Sequence, residues 1–167
     1  IYQYGEGTRA YQPLPVYSFA YDTAYNDLVP SYDPEGAKKL LAEAGYPDGF
    51  KTSIMCASTT ANLKQCEFLQ QQLAQVGIDV EINALESAVV NQKIQDVNVP
   101  GSEAEVDMYV IGWSPSTGDA DWGIRPLMAI ESEPPMSYNI CYYENEEVDQ
   151  LLKDALATAD DSKRAEA

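Results

Sequence analysis

Between residues 112 and 125 the chain gathers groups able to hold a small polar molecule. The run is Gly112-Trp113-Ser114-Pro115-Ser116-Thr117-Gly118-Asp119-Ala120-Asp121-Trp122, with Arg125 about one helical turn beyond Asp121. Hydroxyls and backbone amides can hydrogen-bond a peptide-like ligand, and indole rings can cover it. A carboxylate can pair an ammonium, and a guanidinium can pair a carboxylate. Two plainer roles stay open at this level: Asp121 as the cap of a following helix, and Trp113 as core. Asp119 and Asp121 also form a carboxylate pair of the kind that two-carboxylate hydrolases use. Their i, i+2 spacing is unspecific, and no phosphate-cradling Gly loop or nucleophile elbow accompanies them.

Composition narrows the classes. The chain has 167 residues, 27 acidic against 10 basic, a net charge of −17 and no histidine. An acidic surface repels nucleic-acid phosphates and anionic lipid. Without histidine the commonest general base and zinc ligand are missing. Cys56, Cys66 and Cys141 are widely spaced and contain no C-x-x-C pair, so core thiols are expected, with a Cys56–Cys66 bridge left open. No metal or cofactor is expected. No apolar run approaches the ~20 residues of a membrane helix. Both ends look cut, so the chain is expected to be a piece of a longer protein.

The elements that must position the loop follow from periodicity. Residues 1–32 are rich in Tyr, Pro and Gly and are expected to wrap irregularly over an α/β domain at 33–167. Asp33-Pro34-Glu35 starts a helix that Gly45 stops. Tyr46-Pro47-Asp48-Gly49 makes a turn. A strand is expected over 51–57. A helix over 60–76 carries Leu63, Cys66, Leu69, Leu73 and Val76 on one stripe. A half-buried strand over 78–85 and a helix over about 86–95 come next. The apolar run 106–113 fits a central strand. Helices are then expected from Asp121 to about Ile130 and after the cap Asn145, with a break at Glu133-Pro134-Pro135. This βαβαβ order predicts an α/β domain with a largely parallel sheet flanked by helices. Ligands of such sheets bind beyond the carboxyl ends of the strands, where the loop after residue 113 begins.

The run Tyr32-Asp33-Pro34-Glu35, then Lys38-Lys39-Leu40-Leu41-Ala42-Glu43-Ala44-Gly45-Tyr46-Pro47-Asp48-Gly49-Phe50, closely resembles a hallmark of the family 5 extracellular solute-binding proteins. Leu69-Gln70-Gln71-Gln72-Leu73, Val76-Gly77-Ile78-Asp79-Val80, Gly112-Trp113 and Tyr142-Tyr143-Glu144-Asn145-Glu146-Glu147-Val148-Asp149-Gln150-Leu151-Leu152 follow in the family's order. The resemblance implies one lobe of a two-lobed, type II periplasmic-binding-protein-like fold, which closes over ligand by a hinge. It implies an extracytoplasmic receptor, periplasmic or lipid-anchored, that delivers ligand to ABC permease subunits. It implies a monomer and no enzyme. A peptide-sensing or chaperone-like module on the same fold is the alternative. Peptide binders of the family place an Asp three residues after the Trp of Gly-Trp; here Ser116 stands there. The stretch 113–122, with Arg125-Pro126-Leu127, Pro134-Pro135 and Asn139, is most similar to the glutathione-binding members. The ligand is thus expected to be a peptide or glutathione-like molecule. The expected contacts are Trp113, Ser114, Ser116, Thr117, Gly118, Asp119, Asp121, Trp122 and Arg125.

Overall fold

A computed structural model describes residues 9–96, 107–115 and 117–166. The chain divides into two compact units. One comprises residues 30–94 with 107–111, the other residues 9–29, 95–96, 112–115 and 117–166.

The first unit is an α/β layer. Helix α1 (Pro34–Glu43) starts where the Asp33 side chain accepts a bond from the Gly36 amide and Pro34 takes the first helical position. Strand β1 (Lys51–Ala57), helix α2 (Thr60–Ala74), strand β2 (Asp79–Leu85), helix α3 (Ser87–Ile94) and the short strand β3 (Met108–Tyr109) complete it. The sheet order is β2-β1-β3, and both pairings are parallel.

Two expectations change here. The run at 106–113 was read as the central strand, yet only Met108–Tyr109 is strand, and it lies at the edge of the described sheet. Val106 falls outside the described residues. The centre is β1, where Ile54, Met55 and Cys56 are all buried in succession. Burial on both sides explains this run. Ile54 and Cys56 join Cys66, Val80 and Val110 in the core, with Leu69, Leu73 and Ile82 packed against them. Met55 points the other way, as strand alternation requires, and α3 packs on β1 with Val90 and Ile94 buried. Asp107 then fixes the edge strand. Its Oδ2 accepts from Thr52 Oγ1 (3.0 Å), the Ser53 amide (2.9 Å) and Ser53 Oγ (3.0 Å). These bonds hold its carboxyl below the usual range.

Cys56 and Cys66 are free thiols in this core, as expected. Cys141 is a free thiol too, but it is exposed, against the expectation of three core cysteines.

The second unit holds a 3₁₀ helix (Thr23–Leu28), α4 (Ala120–Met128), a 3₁₀ turn (Ile130–Ser132), α5 (Glu146–Leu156) and α6 (Asp161–Glu166). The 3₁₀ helix lies in the stretch read as irregular; Asp22 caps it by accepting from the Ala24 amide. Asn145 caps α5 as expected, accepting from the Glu147 and Val148 amides. The break after α4 contains a cis peptide bond between Pro134 and Pro135.

Register in the first unit is set at the start of its two long strands. Gly49 (φ +75°) and Gly77 (φ +88°) sit in left-handed turns facing each other. Asp79 N–H donates to Phe50 C=O across the gap (2.9 Å), and Lys51 pairs with Asp79. A Cβ on Gly49 would fall on the Gly77 carbonyl, whereas one on Gly45 (φ +92°) meets nothing. Gly45→Ala is therefore expected to cost only the left-handed backbone penalty, about 1 kcal/mol. Gly49→Ala adds a backbone clash and is expected to cost about 3 kcal/mol or more. Urea unfolding of the two variants measures the difference directly.

Candidate functional site

The chemistry-bearing loop belongs to the second unit. Gly112 and Ser114 are exposed, Pro115 is buried and Thr117 is exposed. Ser116 lies outside the described residues. Trp113 is half-buried, with its ring tilted against Tyr138 at 5.4 Å. Its indole N–H is buried and has no acceptor among the described residues. Gly118 turns the chain at φ +71°, where a Cβ would touch the Tyr17 ring at 3.6 Å. Trp122 is 49% exposed.

The charged members of the loop already have partners. Asp119, rather than Asp121, caps α4: its Oδ1 accepts from the Asp121 amide (2.9 Å). The same carboxylate accepts from Arg164 Nη2 at 2.8 and 3.0 Å. The Arg164 bond, helped by the cap, holds the Asp119 carboxyl below its ordinary range against the opposing pull of burial. Asp121 Oδ1 accepts from Arg125 Nε (2.8 Å) and lies 2.7 Å from its Nη2. Arg125 Nη1 reaches Glu131 Oε1 (3.3 Å), and Nη2 donates to the Leu152 carbonyl. With its side chain only 13% exposed, Arg125 ties α4 to α5. The Asp121 bond, ahead of Glu131, raises its pKa further despite burial.

A second brace runs beside the first. Asp149 is buried on α5; its Oδ1 accepts from the Ile130 amide (3.2 Å), and its Oδ2 accepts from Lys153 (2.6 Å). The Lys153 bond lowers the Asp149 pKa, and the same bond raises that of Lys153. Asn139, fully buried, donates to the Ala129 carbonyl (3.1 Å) and the Tyr143 carbonyl (2.9 Å). It accepts from the Tyr143 amide (2.9 Å).

Chemically, the arrangement presents aromatic and hydroxyl groups while its carboxylates are held by guanidinium groups. Asp119 and Asp121 are thus no free pair for acid–base work: each is clamped by an arginine. No group of three His, Cys, Asp or Glu side chains among the described residues could hold a metal ion. An apolar cavity of about 310 Å³ also lies in this unit, lined by Leu14, Phe19, Tyr25, Ile124, Leu151 and Ala155. It reaches the lower size limit for small-molecule sites, and Gln12, Asp121, Arg164 and Glu166 also line it. Sequence reasoning missed Arg164, Glu131 and Tyr138, and singled out Asn139 only through the family resemblance. Arg164 stands 45 residues from its partner, and no local spacing announces it. The i, i+4 spacing of Asp121 with Arg125, and of Asp149 with Lys153, was the one legible signal.

Two predictions follow from these pairs. Arg125→Ala leaves a half-buried Asp121 and the Leu152 carbonyl without their donor. It is expected to cost about 3 kcal/mol in chemical denaturation, as removing one partner of a buried pair does. Asp119→Asn keeps the helix cap but removes the charge that Arg164 holds. A folded-state pKa below the unfolded value gives stability that is present above about pH 3.9 and lost as pH falls through the folded value. The stability gap between wild type and Asp119→Asn should therefore hold at pH 7 and shrink below pH 4. Denaturation curves across that range would read it.

The sequence pattern of the bacterial extracellular solute-binding proteins, family 5 (middle region), matches residues 1–131. The glutathione-binding protein GsiB of Pectobacterium atrosepticum is 40% identical over 162 residues, covering 96% of this chain and 30% of the relative. GsiB of Escherichia coli K12 is 40% identical over 149 residues, covering 88% of this chain and 28% of the relative. Among solved structures, a dipeptide-binding protein of a Pseudoalteromonas species in complex with Met-Leu superposes with a TM-score of 0.83 at 33% identity. It covers 98% of this chain and 31% of that one. The periplasmic binding protein DppA of Helicobacter pylori, in complex with peptide STSA, gives 0.77 at 30% identity over 94% of this chain and 29% of that one. This chain spans under a third of the length of these relatives. The fold and the sequence place it in one family: the chain belongs to the bacterial extracellular solute-binding proteins of family 5.

Proposed function

We propose that the full-length protein carrying this chain is the ligand-binding component of an ABC importer, and that its ligand is glutathione or a short peptide of similar chemistry. The observation that carries the reading is the 40% identity to glutathione-binding relatives across 96% of this chain. The loop after Gly112 supports it in kind: indoles, hydroxyls and amides suit a small peptide. Trp113, Ser114, Thr117, Gly118 and Trp122 are proposed to face the ligand. Asp119, Asp121 and Arg125 are proposed to act mainly by holding that surface, since their charges are already partnered within the unit. The ligand's own charges are then met by residues beyond this loop. The receptor works outside the cytoplasm, either free in the periplasm or lipid-anchored to the membrane, and hands its ligand to permease subunits. No helix among the described residues is long and apolar enough to cross a membrane.

The test is the melting temperature of the full-length protein with reduced glutathione, with a mixed dipeptide pool, and with a pool of longer peptides. A ligand at about 100 times its dissociation constant adds about 2.7 kcal/mol. A rise with glutathione is expected. A rise only with peptides would replace glutathione by peptides as the cargo, and no rise with any of the three overturns the reading.

A further inference from the structure

Cys56 and Cys66 sit in one buried cluster. Cys56 lies on the central strand β1 and Cys66 in the second turn of α2, the helix that packs on β1 and β2. Both are 0% exposed and belong to the same core set with Ile54, Val80 and Val110. The helix and strand that carry them pack directly on each other, and both side chains belong to that one contact cluster. Both thiols are free in this structure, as is Cys141, which is exposed.

We propose that Cys56 and Cys66 are a disulfide-forming pair that cross-links strand β1 to helix α2. Three features point there. The two cysteines share one buried cluster, on a strand and a helix that pack against each other. The family is extracellular, and outside the cytoplasm the redox balance favours disulfides. The third cysteine, Cys141, belongs to the other compact unit.

The chemistry balances against an incoming disulfide, of protein or small-molecule origin. One cysteine thiolate attacks that disulfide, forming a mixed disulfide and releasing one thiol. The second cysteine thiolate attacks the mixed disulfide, forming the Cys56–Cys66 bond and releasing the other thiol. Two protons and two electrons leave the protein pair, and the incoming disulfide is reduced to two thiols. Burial, reinforced by the adjacent Cys56 thiol, pushes the Cys66 thiol up to about 12. The thiolate is the reacting form, and both thiols are 0% exposed in the folded unit, so the exchange runs before α2 docks on β1. Once folded, the reduced and cross-linked forms do not interconvert readily.

The experiment refolds the full-length protein either in reductant or in a cysteine–cystine buffer with cystine in excess. The buffer is removed, free thiols are alkylated under denaturing conditions, and peptides are mapped by mass. The expected result is a cross-linked peptide joining Cys56 to Cys66 after cystine, with Cys141 alkylated or joined elsewhere. The cross-linked form should melt a few degrees above the reduced form, as closing a short loop in a large protein predicts. Recovery of Cys56 and Cys66 alkylated, each carrying a cysteine adduct, or bonded to other partners overturns the proposal. So does a cross-linked form that melts below the reduced one.

Discussion

The second unit depends on one side chain. Arg125 grips Asp121 on its own helix, Glu131 in the turn that follows, and the Leu152 carbonyl on α5. Few large apolar residues are buried nearby: Leu14 and Leu152 sit at 9% exposure. A unit with so little apolar burial must be held largely by directed bonds, which fix geometry as well as contribute stability. The Asp149 and Asn139 contacts serve the same end, because each joins the segment after α4 to the segment leading into or forming α5. The chemistry-bearing loop enters α4 directly, so the position of Trp113 and Thr117 is set by this polar frame.

The first unit works the opposite way. Its core is apolar, continuous and centred on β1, with helices on both faces. Its polar bonds finish edges: Asp107 anchors β3, and the Gln70 side chain donates to the Val80 carbonyl at 2.7 Å. One chain thus uses two kinds of glue, hydrophobic burial in the layer with the sheet and charge-assisted bonds in the unit with the loop.

What could be read in advance divides along the same line. Helices α1 and α2 were legible because their signals are local: Asp33-Pro34 opens one, and Gly45 and Gly77 close the turns after each. The identity of the central strand was not legible. An apolar run at 106–113 and a mixed one at 51–57 cannot reveal which is covered on both faces, since that depends on where α3 packs. The location of the candidate loop was legible from composition. Its electrostatics were not, because the partner that holds Asp119 arrives from α6 and the third partner of Arg125 is a backbone carbonyl. Side-chain type says what a residue can bind; only the fold says what it already binds.

The facing glycines at 49 and 77 have an evolutionary consequence. When two side chains crowd each other, a lineage escapes by shrinking one as the other grows. Here both partners are already as small as an amino acid can be, and the obstacle at Gly49 is the neighbour's backbone itself. No compensating exchange at position 77 can make room. Gly49 therefore has no neutral route of its own through sequence space, whereas a Cβ at Gly77 would meet its neighbours at 3.4 Å and face mainly the left-handed backbone penalty.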